Sequence, residues 1–170
     1  DLLVVDDAVG VATGGEAVLG AVERRLGGVA QGRGEVAGLA ERLEELLGVK
    51  IPRRIGETLG EIACLGPDEW LWRTAAGAPR DLGSGLPLSI VDISERSVGL
   101  VLEGAPAREV LNAGCPLDLE RFAVGRTVRT IYEGVEIILS RETETRWTVD
   151  VWRSFAEWLW LSLTKAAEHP

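Results

Sequence analysis

The sequence predicts an α+β fold, and three stretches carry that prediction. Leu65–Trp72, LGPDEWLW, sets a turn-forming Gly-Pro-Asp against a run of strand character. Leu88–Gly114 reads as strand, strand, helix, and Thr127–Ala167 as hairpin, strand, helix. Tight turns between strands, with a helix after each group, make sheets that carry their helices segregated to one face. The 170 residues suit one domain or two small interwoven lobes, and at 46% hydrophobic and 26% charged they can build a real core.

At the start of the chain, Leu2–Val5 and Val9–Ala12 read as short strands around an Asp6-Asp7 turn. Two stretches then resemble each other: GVATGGEAVLGAVERRL from Gly10 and GVAQGRGEVAGLAERL from Gly28. Each reads as a strand end, a Gly-rich turn and a Glu-led helix, by local duplication or by chance in an Ala/Gly/Glu-rich segment. The first copy predicts a short helix over Ala17–Leu26. The second predicts a better one, with Val36, Leu39, Ala40, Leu43 and Leu47 on one face. Glu35, Glu41, Arg42, Glu44 and Glu45 take its wet side, and Gly48 supplies the stop. The glycines do not make a phosphate loop. Gly32 and Gly34, with Ala37, fit only the loosened dinucleotide pattern, and Glu35 places a negative charge where a pyrophosphate would sit.

Ile62–Leu65 and Glu69–Arg73 form the two strands of a hairpin about Gly66-Pro67-Asp68. Strand alternation puts Trp70 and Trp72 on one face and Leu71 on the other. Both faces are apolar, so the strand is expected to be covered on both sides, with the tryptophans in a core or an interface. The functional alternative is an aromatic pair that stacks on a quaternary ammonium. Ala75–Leu86 reads as loop.

Leu88–Ile93 and Val98–Glu103 are predicted strands, joined through an Asp92–Glu95 turn. Gly104-Ala-Pro106 opens a helix with Val110 and Leu111 facing inward; Gly114 ends it and Pro116 prevents its continuation. Thr127–Tyr132 and Val135–Ser140 flank Glu133-Gly134, a hairpin signal. After a polar turn at Glu142–Thr145, Trp147–Trp152 is a strand with Trp147, Val149 and Val151 on one face. Ser154-Phe-Ala-Glu157 has the spacing of a capping box, and the helix behind it runs to about Ala167.

That last helix is apolar over more than one face. Phe155, Trp158, Leu159 and Ala166 form one stripe, enough to bind a sheet. Trp160 lies further round with Ala156, Leu163 and Ala167. Either the helix is unusually buried, or Trp160, Ala156, Leu163 and Ala167 dock against another subunit.

Composition excludes several function classes. The 27 acids against 18 bases give a net charge of -9, which argues against a nucleic-acid partner and an anionic membrane surface. The longest apolar runs fall far short of the ~20 residues of a membrane span. No cationic, apolar-cored leader opens the sequence. Cys64 and Cys115 make neither a disulfide framework nor a zinc site and read as small buried hydrophobes in a reducing cytoplasm. The single histidine, His169, is the penultimate residue, a poor place for the base of a Cys/His pair. The acid pairs Asp6/Asp7, Glu44/Glu45, Asp68/Glu69 and Glu142/Glu144 read as solvated turns and helix faces. No G-x-S-x-G, H-E-x-x-H or kinase motif occurs. No catalytic, cofactor-binding or metal-ligating residue is assigned from the residues alone.

LGPDEWLW, VDISERSVGLVLEGAPAREVLNAGCPLDL (Val91–Leu119) and VDVWRSFAEWLW (Val149–Trp160) come in an order and spacing that resembles the gamma subunit of heterotetrameric sarcosine oxidase. The likeness covers roughly Ile62 to Trp160. The Gly-Pro-Asp-Glu-Trp hairpin and the Gly-Ala-Pro helix start occur more broadly among proteins similar to the folate-binding aminomethyltransferases. The resemblance implies entwined α+β lobes with ferredoxin-like elements, as in the aminomethyltransferase folate-binding region, with mostly antiparallel sheets. It implies one gamma-like domain over residues 1–170, with 61–170 as the family-like core and 1–60 as an atypical strand-helix segment. It implies a cytoplasmic, non-catalytic assembly subunit whose partners are the alpha, beta and delta subunits. The complex would demethylate sarcosine oxidatively to glycine, yielding hydrogen peroxide, with the one-carbon unit leaving as formaldehyde or on tetrahydrofolate. FAD, FMN, NAD and zinc would belong to those partners and none to this chain. The alternatives are a stand-alone folate-binding or aminomethyltransferase-like protein, with Asp92 or Asp150 facing the pteridine, and a subunit of a related N-methyl amino acid dehydrogenase.

Overall fold

The computed structural model describes residues 2–5, 8–12, 18–22, 26–32, 39–73 and 88–168; for 2–32, Leu39, Arg42, Leu46, Leu47 and 88–90 it describes the backbone only. In chain order the elements are β1 (Leu2–Val5), β2 (Ala8–Ala12), β3 (Val18–Val22), β4 (Leu26–Gly32), α1 (Leu39–Leu47), β5 (Thr58–Leu59), β6 (Ile62–Gly66), β7 (Glu69–Arg73) and β8 (Leu88–Val91). There follow β9 (Ser97–Glu103), α2 (Ala107–Asn112), β10 (Thr127–Tyr132), β11 (Val135–Arg141), β12 (Arg146–Trp152) and, after a 3-10 turn at Arg153–Phe155, α3 (Ala156–Ala167). The chain forms two compact units, one from residues 1–23 and 96–170 and the other from 24–95.

The first unit is built on a seven-stranded sheet in the order β1-β2-β3-β9-β12-β11-β10, antiparallel at every described pairing. Register explains its core. Trp147 pairs with Leu102, and Val149 pairs with both Leu100 and Leu139, so alternate residues of three strands share one face. That face packs with Ala107, Val110 and Leu111 of α2 and with Leu159 and Leu163 of α3. Trp147 is wholly buried, and its ring lies 5.6 Å from that of Phe122 between centroids. Burying each such leucine contributes about 2 kcal/mol. The β10–β11 hairpin turns on Glu133 (φ 45°) and Gly134 (φ 87°), two left-handed residues as a type I′ turn demands.

The second unit holds a five-stranded antiparallel sheet in the order β5-β6-β7-β4-β8. LGPDEWLW forms the expected hairpin, with Gly66 paired to Glu69 across Pro67-Asp68. Trp70 packs with Ile62, Cys64, Ile51 and Leu43 of α1, and Trp72 lies partly buried against the same cluster. Ala63 and Leu71, paired on the opposite face, are also fully buried. The hairpin is therefore covered on both sides, as its two apolar faces predict. Gly48 adopts φ 67° at the end of α1, its N–H bonded to Glu44 O at 2.9 Å.

Three expectations are corrected. The helix expected over Ala17–Leu26 is instead β3, followed by the start of β4 at Leu26. Ala, Leu and Glu favour a helix there, but β3 pairs with β2 on one side and β9 on the other, and sheet pairing overrides local propensity. The two resembling stretches are therefore not a structural repeat: the first gives strand then strand, the second strand then helix. The strand expected over Leu88–Ile93 stops at Val91, because Asp92 Oδ1 accepts hydrogen bonds from Ser94 N at 2.9 Å and Ser94 Oγ at 2.6 Å. The capping box at Ser154 is not the start of the last helix. Trp152 caps a 3-10 turn that contains Ser154, and Arg153 N donates to Arg96 O at 2.7 Å. Asp6-Asp7, Gly34, Glu35 and Val36 of the expected helix, Ala37, the expected Ala75–Leu86 loop and His169 lie outside the described residues.

Candidate functional site

The face of the seven-stranded sheet opposite the helices is chemically unlike the apolar one. The buried polar residues among the described ones are Ser97, Thr127, Ser140, Thr148 and Asp150, and the register puts all of them on this face. One cross-strand row runs Gly10, Gly20, Val101, Thr148, Ser140, Thr127. The next runs Ala8, Val22, Gly99, Asp150, Ile138, Arg129. Hydrogen bonds stitch the first row: Thr127 Oγ1 donates to Ser140 Oγ at 2.9 Å, and Thr148 Oγ1 to Glu142 Oε1 at 2.7 Å. Glu142 in turn accepts from Arg146 Nε at 3.0 Å, and Arg146 Nη1 reaches Glu103 at 2.5 Å. Burial works against the Arg146 charge, but its bonds to Glu142 and Glu103 outweigh that and hold its pKa above the ordinary arginine value. This lattice ties β9, β12 and the 142–145 turn together, so Glu142 belongs to a strand-locking pair. Glu144 likewise pairs with Arg141, Nη2 to Oε2 at 2.6 Å, while Arg141 Nη1 donates to Phe122 O at 2.6 Å.

Of the two acids tested for a pteridine-facing role, Asp92 is exposed and holds its own turn. Asp150 is only 3% exposed, set between Gly99 and Ile138. It is the buried carboxylate of the described chain. In the sequence, strand alternation explains Asp150 better than a pteridine-facing role does.

The tryptophan pair is not a cage. Trp70 Nε1 donates to Pro52 O at 2.8 Å, which satisfies its one polar atom inside the core. Cys64 and Cys115 are buried free thiols in different units. Burial pushes the Cys64 thiol pKa up, the wrong direction for a nucleophile. Glu44 accepts from Ile51 N and Arg53 and clips α1 to the chain that follows it, and Arg53 also pairs with Glu41. Among the described residues no three His, Cys, Asp or Glu side chains come together as a metal site, and no helix is long and apolar enough to cross a membrane.

The last helix resolves differently from either stripe read from the sequence. Leu159, Leu163 and Ala167 are buried, and Ala156, Trp160 and Ala166 pack partly buried against the same core. Of the docking residues expected from the sequence, Leu163 and Ala167 therefore belong to the chain's own core, and Trp160 and Ala156 lie against it. Phe155 and Trp158, expected to bind the sheet, are exposed instead, at 42% and 36%. The reason is geometric. The Leu159–Leu163–Ala167 row at i, i+4, i+8 seats on the sheet, between the two stripes the sequence offers, and turns Trp158 outward. Phe155 sits in the 3-10 turn, whose three residues per turn rotate it off the α-helical stripe. Leu161, at 60%, is exposed beside Trp158, while Trp152, at 48%, pairs with Ser97 on the sheet face opposite the helices.

These elements match known proteins. The sarcosine oxidase subunit gamma of Corynebacterium sp. (strain U-96) is 33% identical over 122 residues, a stretch that covers 65% of this chain and 60% of that relative's length. A chain of the heterotetrameric sarcosine oxidase from Corynebacterium sp. U-96, solved in complex with pyrrole 2-carboxylate, superposes with a TM-score of 0.74 at 26% identity. That match covers 91% of this chain and 86% of the other. The family described as sarcosine oxidase, gamma subunit, matches residues 33–169. With most of its length inside that match, the chain belongs to the sarcosine oxidase gamma subunit family.

Proposed function

We propose that this chain is a non-catalytic assembly subunit of a heterotetrameric complex that oxidatively demethylates sarcosine to glycine. The observation that carries the reading is the family match over residues 33–169, joined to the likeness to a chain of a heterotetrameric sarcosine oxidase. Its partners in this reading are alpha, beta and delta subunits, which hold the FAD, FMN, NAD and zinc and use tetrahydrofolate as co-substrate. The polar groups of this chain support that division. Glu142, Glu103, Arg146 and Arg141 lock strands, Trp70 and Trp72 pack into a core, and the Cys64 thiol is buried with a raised pKa. The two α+β units are read as lobes of the aminomethyltransferase folate-binding type, within one gamma-like domain whose N-terminal part is the atypical segment. Its free buried thiols suit the cytoplasm. Co-expression of a tagged chain with the three partner subunits tests this reading. Stoichiometric recovery of all four supports it; recovery of the tagged chain alone overturns it.

The second reading, a stand-alone folate-binding protein, is favoured by one observation, the buried carboxylate of Asp150. Isothermal calorimetry of the isolated chain with tetrahydrofolate separates the two: the assembly reading expects no saturable heat.

A further inference from the structure

We draw no further inference here: the strongest candidate, the buried cluster of Thr127, Ser140, Thr148 and Asp150 on the sheet face opposite the helices, belongs to the site already described, and the folate reading it supports has already been drawn.

Discussion

Tyr132 is the chain's single tyrosine, and burial first, then the nearby Glu133 carboxylate, pushes its hydroxyl up to about 12. A folded-state value above the roughly 10 of an unfolded tyrosine means the fold favours the neutral hydroxyl. That contribution is complete below about pH 10 and is lost as pH rises through 12. An absorbance titration of tyrosinate reads this residue alone: a midpoint near 12 is expected in buffer and near 10 in denaturant. The same ring explains Gly114. A Cβ there would stand 2.7 Å from Tyr132 Cζ and 2.9 Å from Glu133 Cγ, closer than packed carbons tolerate. Gly114→Ala should cost about 1–3 kcal/mol and lower the thermal midpoint by several degrees. The sequence marks Gly114 only as a helix stop. Its close approach to Tyr132 was illegible, because it depends on a hairpin eighteen residues further on.

Among the elements, what the sequence made legible is what local chemistry decides alone. Gly-Pro-Asp between apolar runs gives β6 and β7, Glu133-Gly134 gives β10 and β11, and Gly104-Ala-Pro106 leads into α2. β3 was illegible because Glu-Ala-Val-Leu-Gly-Ala-Val suits a helix by composition; its strand state comes from pairing with β9, about eighty residues away. α3 was half legible. A helix apolar nearly all round gives no periodic signal for which side turns inward, so its existence is clear and its orientation is not. The structure makes the orientation testable. Trp160, partly buried against the core, should not behave as a docking residue: Trp160→Asp is expected to destabilise the isolated chain by about 2–4 kcal/mol in urea denaturation. Leu161→Glu, one residue on and 60% exposed, should change stability by less than about 0.5 kcal/mol.

For the molecule as a whole, the family was legible through motif order rather than through any reactive constellation. Leu65–Trp72, Val91–Leu119 and Val149–Trp160 each hold fold positions, and together they point to the family that the comparisons show. The polar sheet face was not legible, since it needs the register of four strands to bring Ser97, Thr127, Ser140, Thr148 and Asp150 onto one side. If that face only locks the sheet, Asp150→Asn should leave partner recovery unchanged, and tetrahydrofolate should give no saturable heat with either chain. The central claim is that this chain contributes to sarcosine oxidation by assembling with subunits that carry the chemistry. Sarcosine-dependent hydrogen peroxide production, measured on the isolated chain and on the four-subunit preparation with and without it, tests that most directly. The account predicts no peroxide from the isolated chain, and peroxide from the four-subunit complex that falls when this chain is omitted. Peroxide from the isolated chain, or a three-subunit preparation as active and as stable as the full complex, would contradict it.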